Sequence, residues 1–221
     1  MVRALLAGGI VGALCALIGV FVIQRGLSFV GDGLAHAAFG GISLGLLLDV
    51  TIEHSTWVAL PFTVAVALGI AWVLRRGALS GDVATGVFFS VSLALGVLFL
   101  GLRPPEAPPV NVESVLFGSI LAISHNDLYV IAGVGAAVAL IVGLTWTRLA
   151  YATFDPELAA LSGVPVAGLD YMLLGLTAVV IVVAVKSVGI SLVSSFVIIP
   201  AACARMLGRT LAQVTVIAIA L

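Results

Sequence analysis

Two ionisable residues, Asp32 and His36, are four positions apart in the run GDGLAHA of residues 31–37. On a helix this spacing places both side chains on one face, with their Cβ atoms about 6 Å apart. A carboxylate and an imidazole in this arrangement can both ligate a divalent first-row metal ion. The run contains no soft sulfur ligand, which disfavours a copper(I) site. We therefore interpret the pair as a candidate site for a metal ion in transit.

The surroundings of the pair are apolar, so these side chains are costly to place. At a rise of 1.5 Å per residue, both lie about 10 Å or more along the helix from Arg25. An ionisable group at such a depth in a membrane costs a few kcal/mol and normally faces an aqueous path or a partner group. The residues alone leave two interpretations open. One is transport of a metal ion or a proton, and the other is an Asp–His hydrogen bond that joins two helices.

The composition indicates an integral membrane protein. Hydrophobic residues make up 62% of the 221 residues and charged residues only 9%, whereas a soluble domain carries about 25% charged residues. This balance excludes a soluble enzyme or binding domain, and the net charge of -1 gives no support for nucleic-acid binding. Cys15 and Cys203 both lie in apolar segments, where we interpret them as small packing residues.

Apolar runs of about 20 residues predict the elements that hold the pair. We predict an all-α fold, a single transmembrane domain over residues 1–221 that forms a polytopic helical bundle of about seven spans plus a half-helix. The predicted spans are 5–23, 29–48, 57–74, 83–100, 128–147, 171–185 and 190–204. The loop at 103–109 is too rich in proline to be helical, and the apolar piece at 115–123 is too short to cross a bilayer. Because a further apolar run begins at 214, we expect the natural chain to continue.

Basic residues predict the orientation of the spans. Six of the nine fall on one side when the spans alternate. They are Arg25, Arg75, Arg76, Arg148, Arg205 and Arg209. We expect this side to be cytoplasmic, together with the loop at 148–170.

The loop at 148–170 contains signals for a short helix. Asp155 is a suitable N-cap, Pro156 fits the first helical position, and Glu157 is favourable in the first turn. Gly163 then ends a helix of about two turns. The segment is either a connector or a docking element whose small apolar face fills a groove on a soluble partner. That face comprises Leu158, Ala159 and Leu161.

The remaining ionisable residues near span ends have structural interpretations. We expect His54 to be solvated in a loop, and Asn126 or Asp127 to cap the helix that begins near His125. Lys186 is expected to extend its amine to the membrane interface. The few polar residues within the spans form no nucleophile–base set, which disfavours an enzyme.

Four segments together are similar to one known family. Residues 24–37, QRGLSFVGDGLAHA, resemble the signature of bacterial zinc/manganese ATP-binding-cassette permeases, an Arg and a Ser followed by Gly-Asp-x-Leu-Ser/Ala-His-Ala. Residues 116–121 (LFGSIL), 154–159 (FDPELA) and 198–205 (IIPAACAR) resemble the same family in its order and spacing. The four segments extend over nearly the whole chain.

The resemblance implies a permease subunit of an importer for zinc, manganese or iron(II) in the bacterial plasma (inner) membrane. Two copies would form the pathway, two cytoplasmic ATP-binding-cassette ATPases would drive it, and an extracellular or periplasmic metal-binding lipoprotein would deliver the ion. No permanently bound cofactor and no nucleic acid is implied. Asp32 and His36 would line the path, and residues 154–163 would be the coupling helix that meets the ATPase. The coupling residues would be Phe154, Asp155, Pro156, Glu157, Leu158, Leu161 and Gly163.

Other classes of transporter and membrane protein stay open. A related permease could carry a siderophore or cobalamin, although the Asp32/His36 pair favours a bare ion. A proton- or sodium-coupled secondary transporter often shows inverted repeats, and none is visible in this sequence. A non-transporting scaffold is the third class. No Gly-x-x-x-x-Gly-Lys-Ser/Thr segment occurs in the sequence, so we expect ATP to be hydrolysed on a separate chain.

Overall fold

The computed structural model describes residues 2–77, 79–104, 118 and 124–221, and within these ranges the chain is helical without strands. The helices are α1 (Val2–Gln24), α2 (Val30–Leu47), α3 (Ile52–Arg75), α4 (Gly81–Gly101), α5 (His125–Phe154), α6 (Pro156–Leu161), α7 (Val166–Val188), α8 (Ile190–Leu207) and α9 (Leu211–Ala220). The predicted half-helix at 115–123 and the family-like segment at 116–121 lie outside the described residues, except for Gly118. Residues 105–109 of the proline-rich loop lie outside them too.

Seven of the described helices are long and apolar enough to cross a membrane, namely α1–α5, α7 and α8. Each corresponds to one of the seven predicted spans, so the predicted all-α bundle is confirmed. The helix α9 is apolar but has only 10 residues. The short helix α6 belongs to none of the seven spans.

The helix α5 is longer than predicted. It has 30 residues, which corresponds to about 45 Å, whereas the hydrocarbon core of a bilayer is about 30 Å thick. The predicted span ended at residue 147 because Arg148 interrupts the apolar run. The backbone hydrogen bonds continue past that charge to Phe154. The last turns of α5 therefore extend beyond the predicted span and lead into α6.

The N-terminus of α5 also differs from the prediction. Ser124, and not Asn126 or Asp127, is the N-cap. Its hydroxyl oxygen accepts from the backbone N–H of Asp127 at 3.2 Å, and the Asp127 carboxylate accepts from the backbone N–H of Ser124 at 3.1 Å. This is a capping box, in which the acidic residue occupies the third helical position.

The helix α2 is the centre of the bundle. It packs against α3 and α4 and also contacts α7 and α8, and 72% of it is buried. Glycine allows a close approach of α2 to α3, because a methyl group at Gly41 would lie 2.6 Å from Cα of Ala59. The helices α2 and α4 run in the same direction, with Gly33 beside Thr85 and His36 beside Phe89.

Ion pairs identify the two ends of the bundle. At one end, Asp170 at the start of α7 contacts Arg25 after α1 and Arg75 at the end of α3. At the other end, Lys186 of α7 lies with its Nζ 2.6 Å from Oδ1 of Asp127 on α5. Arg25 and Arg75, two of the six basic residues predicted for one side, thus meet at the same end. Lys186 is in the last turn of α7, and its amine lies at the opposite end of the bundle in an ion pair that the sequence did not predict.

Candidate functional site

The predicted pair lies at the beginning of α2, on one face of the helix. Nδ1 of His36 is 3.7 Å from Oδ1 of Asp32, which is too long for a hydrogen bond. The two side chains are 21% and 30% exposed. They therefore do not join two helices through a hydrogen bond to each other. Both functional groups stand beside each other on the partly open side of an otherwise buried helix.

A backbone contact determines which nitrogen of His36 is available to a ligand. Nδ1 lies 3.0 Å from the backbone carbonyl oxygen of Asp32. A carbonyl oxygen only accepts, so Nδ1 carries the proton and donates it. When the ring is neutral, Nε2 is then the nitrogen that carries the lone pair. Metal-binding histidines commonly donate their other ring N–H to a carbonyl or carboxylate, which fixes the tautomer and the ring orientation.

Aromatic side chains form the wall beside His36. Its ring centroid lies 4.4 Å from that of Phe89 on α4, with an angle of 64° between the ring planes. Phe89 in turn contacts Phe29 edge-on, with 6.0 Å between the centroids. This packing restricts the rotation of the imidazole and leaves the Asp32 carboxylate as the polar neighbour on its own helix.

Among the described residues, the cysteine and other histidine side chains belong to no cluster of metal ligands. No group of three or more His, Cys, Asp or Glu side chains that could hold a metal occurs in the described part of the chain. Cys15 is buried, as a packing residue is expected to be, whereas Cys203 is exposed. His54 is exposed at the start of α3 with its Nδ1 2.9 Å from the Thr51 hydroxyl. One copy of the chain therefore offers two neighbouring metal donors at Asp32 and His36.

The helix α6 forms where the capping signals predicted it. The Asp155 carboxylate accepts from the backbone N–H of Leu158 at 2.9 Å, and Pro156 occupies the first helical position. After the helix, Gly163 adopts a φ of +79°, a conformation that favours glycine. Tyr151 and Ser162 tie the helix to the end of α5, with 3.1 Å between their hydroxyl oxygens.

The surface of α6 is more apolar than a solvated connector requires. Leu158 is 52% exposed, Leu161 84% and Phe154 63%. One detail of the predicted docking face is wrong, because Ala159 is fully buried against the bundle. The small side chain lets α6 pack closely on its own protein, and the leucines remain at the surface.

Sequence reasoning missed the role of Asp170. Its carboxylate pairs with Arg25 through one oxygen and lies 3.1 Å from Nη1 of Arg75 through the other. Nε of Arg25 also donates to the hydroxyl of Thr153, at 3.1 Å. A usable signal existed in the predicted alternation of spans, since a lone acidic residue at the start of a span faces the basic ends of two others.

Comparison with known proteins identifies the family. All residues from 1 to 221 match the model of the ABC 3 transport family. The chain belongs to this family. As an ABC 3 permease it is a transport component and not an enzyme, and it is a multi-pass protein of the bacterial inner membrane.

Curated relatives of the permease include transport proteins named for two metals. It is 36% identical over 210 residues to the manganese transport system membrane protein MntC of Halalkalibacterium halodurans, covering 95% of this chain and 70% of that protein. It is 35% identical over 208 residues to the high-affinity zinc uptake system membrane protein ZnuB of Haemophilus influenzae, covering 94% and 77% respectively.

Solved structures show the same fold. PsaBC from Streptococcus pneumoniae, determined in complex with a Fab, matches with a TM-score of 0.82 and 31% identity, over 99% of this chain and 76% of that one. An inward-facing putative metal-chelate type ABC transporter matches with a TM-score of 0.78 at 16% identity, over 99% and 72%. At that identity the second likeness concerns the fold alone.

Proposed function

We propose that this permease carries a divalent first-row metal ion, manganese or zinc, and that Asp32 and His36 line its path. The observation that carries the proposal is the state of His36. Its Nδ1 donates to a backbone carbonyl, so in the neutral ring Nε2 carries the lone pair that can bind a cation. Iron(II) would accept the same donors.

The position of the pair in the first two turns of a membrane span supports a transport role. Asp32 and His36 belong to a helix that is 72% buried and qualifies as a membrane span. Ionisable side chains inside such a helix are expensive unless they serve a path or a partner. The pair is partly exposed and makes no ion pair with another helix among the described residues. A passing cation is a partner of the right charge for Asp32.

The size of the donor set supports a pathway shared by two copies. Zinc in proteins usually has four ligands, and manganese more. One chain supplies one carboxylate and one imidazole at this point, so two copies related by a twofold axis would supply four donors. We therefore propose a homodimer with the ion path between the two α2 helices. Water molecules would complete the larger coordination shell of manganese.

The exposed face of α6 supports docking of a cytoplasmic ATPase. Leu158 and Leu161 are exposed at an end of the bundle, outside every candidate span. Lipid therefore does not account for their exposure, whereas an apolar groove on a partner would. A metal-binding lipoprotein would deliver the ion at the opposite end of the bundle.

The decisive test is metal accumulation in vesicles that contain the permease with the ATPase and lipoprotein of the same transport system. We expect uptake of manganese or zinc only with ATP and with all three proteins present. Vesicles with the permease alone should accumulate no metal, because the chain has no phosphate-binding segment. Accumulation by the permease alone, without ATP, would overturn the proposal and favour a secondary transporter.

A siderophore or cobalamin permease is the alternative cargo class. The same vesicles distinguish it, since a permease of that class would accumulate an organic complex of iron or cobalt and not the bare ion. The imidazole and carboxylate pair at Asp32 and His36 favours the bare ion.

A further inference from the structure

Arg25 lies in the turn between α1 and α2 and has three features that set it apart. Its side chain is only 11% exposed. It pairs with Asp170 at the start of α7, and its Nε donates to Thr153 near the end of α5 at 3.1 Å. Its Nη2 is buried without a hydrogen-bond partner in the described structure.

The two partners of Arg25 flank the proposed coupling helix. Thr153 is two residues before Asp155, the N-cap of α6, and Asp170 is nine residues after Leu161, the last residue of α6. One guanidinium therefore contacts both arms of the segment that carries α6. Arg75 contributes from a third helix, through the second oxygen of Asp170.

The turn that holds Arg25 is closed by backbone hydrogen bonds and leads directly to α2. Gly26 has a φ of +69°. The backbone N–H of Gly26 donates to the carbonyl of Ile23 at 3.0 Å, and that of Leu27 donates to the carbonyl of Val22 at 3.0 Å. These two bonds form a Schellman motif, which closes α1 in a defined geometry. Asp32 follows only seven residues after Arg25.

We propose that Arg25 and Asp170 are positioning residues that transmit the movement of α6 to the start of α2, and so to Asp32 and His36. The inference rests on the proposed function, because it takes α6 as the contact of the ATPase and α2 as the wall of the ion path. A mostly buried charge pair does not separate readily, since Arg25 would be left as a buried charge without its carboxylate partner. The planar guanidinium also contacts both arms in a fixed geometry. The two arms, the turn and the beginning of α2 therefore move together.

The chain offers a matched control at its other end. Lys186 and Asp127 also join α7 to α5, at 2.6 Å, but far from α6 and from the turn at Arg25. Asp127→Asn removes that ion pair, just as Asp170→Asn removes the one at the α6 end. Only Asp170→Asn should affect the transmission of movement from α6 to α2.

The experiment measures metal ions transported per ATP hydrolysed by the complete transporter in vesicles, with ATPase recruitment measured in parallel. We expect Asp170→Asn to recruit the ATPase at the wild-type level while the ratio falls about tenfold, a typical size for coupling between two sites. Asp170→Glu should restore most of the ratio, and Asp127→Asn should leave it unchanged. Thr153→Val should lower it less than Asp170→Asn does.

Two results would overturn the inference, namely a wild-type ratio in Asp170→Asn or an equal fall in Asp127→Asn. If Asp170→Asn does not reach the membrane, Thr153→Val decides, and an unchanged ratio in that variant refutes the transmission role. Failure of the proposed function is a separate result. It would appear as the absence of ATP-dependent metal uptake by the wild-type transporter.

Discussion

The helices α2 and α6 expose opposite kinds of side chain to their surroundings. A membrane-spanning helix, α2, carries Asp32 and His36 on its partly open face. The short helix α6 lies outside every candidate span and yet exposes Leu158 and Leu161. Each helix therefore presents side chains that its own surroundings penalise. The exposed leucines of the spans are different, since lipid is a suitable solvent for them.

The difference between α2 and α6 teaches where partners are required. On the proposed function, the groups on α2 meet a cation or water, and those on α6 meet an apolar groove of the ATPase. The two helices also differ in how the fold holds them. Four other helices surround α2, whereas α6 depends on its caps, the Tyr151–Ser162 contact and the buried Ala159. We expect substitutions in α2 to reduce transport by removing a polar group or by disturbing its packing. We expect substitutions in α6 to reduce transport by altering its exposed surface.

The largest effect is expected from removal of the polar groups on α2. His36→Ala and Asp32→Ala should each abolish metal-dependent growth under chelation, because each removes one of the two donors. Asp49→Asn is the control, since Asp49 is exposed just after α2 at a φ of +57°, which asparagine tolerates. Growth and the amount of permease in the membrane are measured together. Normal growth of both alanine variants would return the pair to a structural role.

A smaller and separable effect is expected from the surface of α6. Burial of a leucine contributes about 1.5–3 kcal/mol when complete, and the double variant Leu158→Asp, Leu161→Asp replaces that gain with desolvated charge. The variant should fold and keep Asp32 and His36, but it should no longer co-purify with the ATPase or stimulate its turnover. Ala160→Asp is the control, because Ala160 is exposed on a different side of α6.

Two outcomes decide the assignment of α6. Co-purification of the ATPase at the wild-type yield with the double aspartate variant would show that α6 is only a connector. An equal loss in Ala160→Asp would show that any charge on this helix disrupts it, so that the leucine face has no special role.

The smallest effect is expected from the packing of α2 on α3. In Gly41→Ala the new methyl group would meet the Ala59 backbone at 2.6 Å, so the helices must separate. Overpacking typically costs about 1–3 kcal/mol, partly offset by the better helix propensity of alanine. We expect a fall of several degrees in the thermal unfolding midpoint and reduced uptake. Gly86→Ala is the control, since nothing lies within 4 Å of the new methyl group. Equal midpoints in both variants would contradict the close approach.

Local patterns predicted much of the fold and the candidate site. The spans follow from hydropathy, because lipid selects apolar side chains over a fixed length of helix. The shared face of Asp32 and His36 follows from helical periodicity. The caps of α6 were predictable because Asp155, Pro156 and Gly163 act on the backbone within a few residues. The cap of α5 was missed by a few residues, since serine, asparagine and aspartate stand together there and all cap well.

Other features were not accessible to such patterns. The continuation of α5 to Phe154 was missed because a charge ends an apolar window without ending a helix. The proton position on His36 depends on a carbonyl oxygen that only the folded rotamer brings within reach. The burial of Ala159 depends on how α6 lies against the bundle, which its own six residues do not specify.

The sequence by itself determined which segments cross the membrane, which two side chains share a face of α2, and where α6 begins and ends. All of these depend on interactions within one helix or between a helix and its solvent. Only the tertiary structure decided that Arg25 meets Asp170, 145 positions away, and that Lys186 meets Asp127, 59 positions away. The physical reason is that an ion pair between helices depends on the positions of both helix ends in space, and no local spacing encodes those positions.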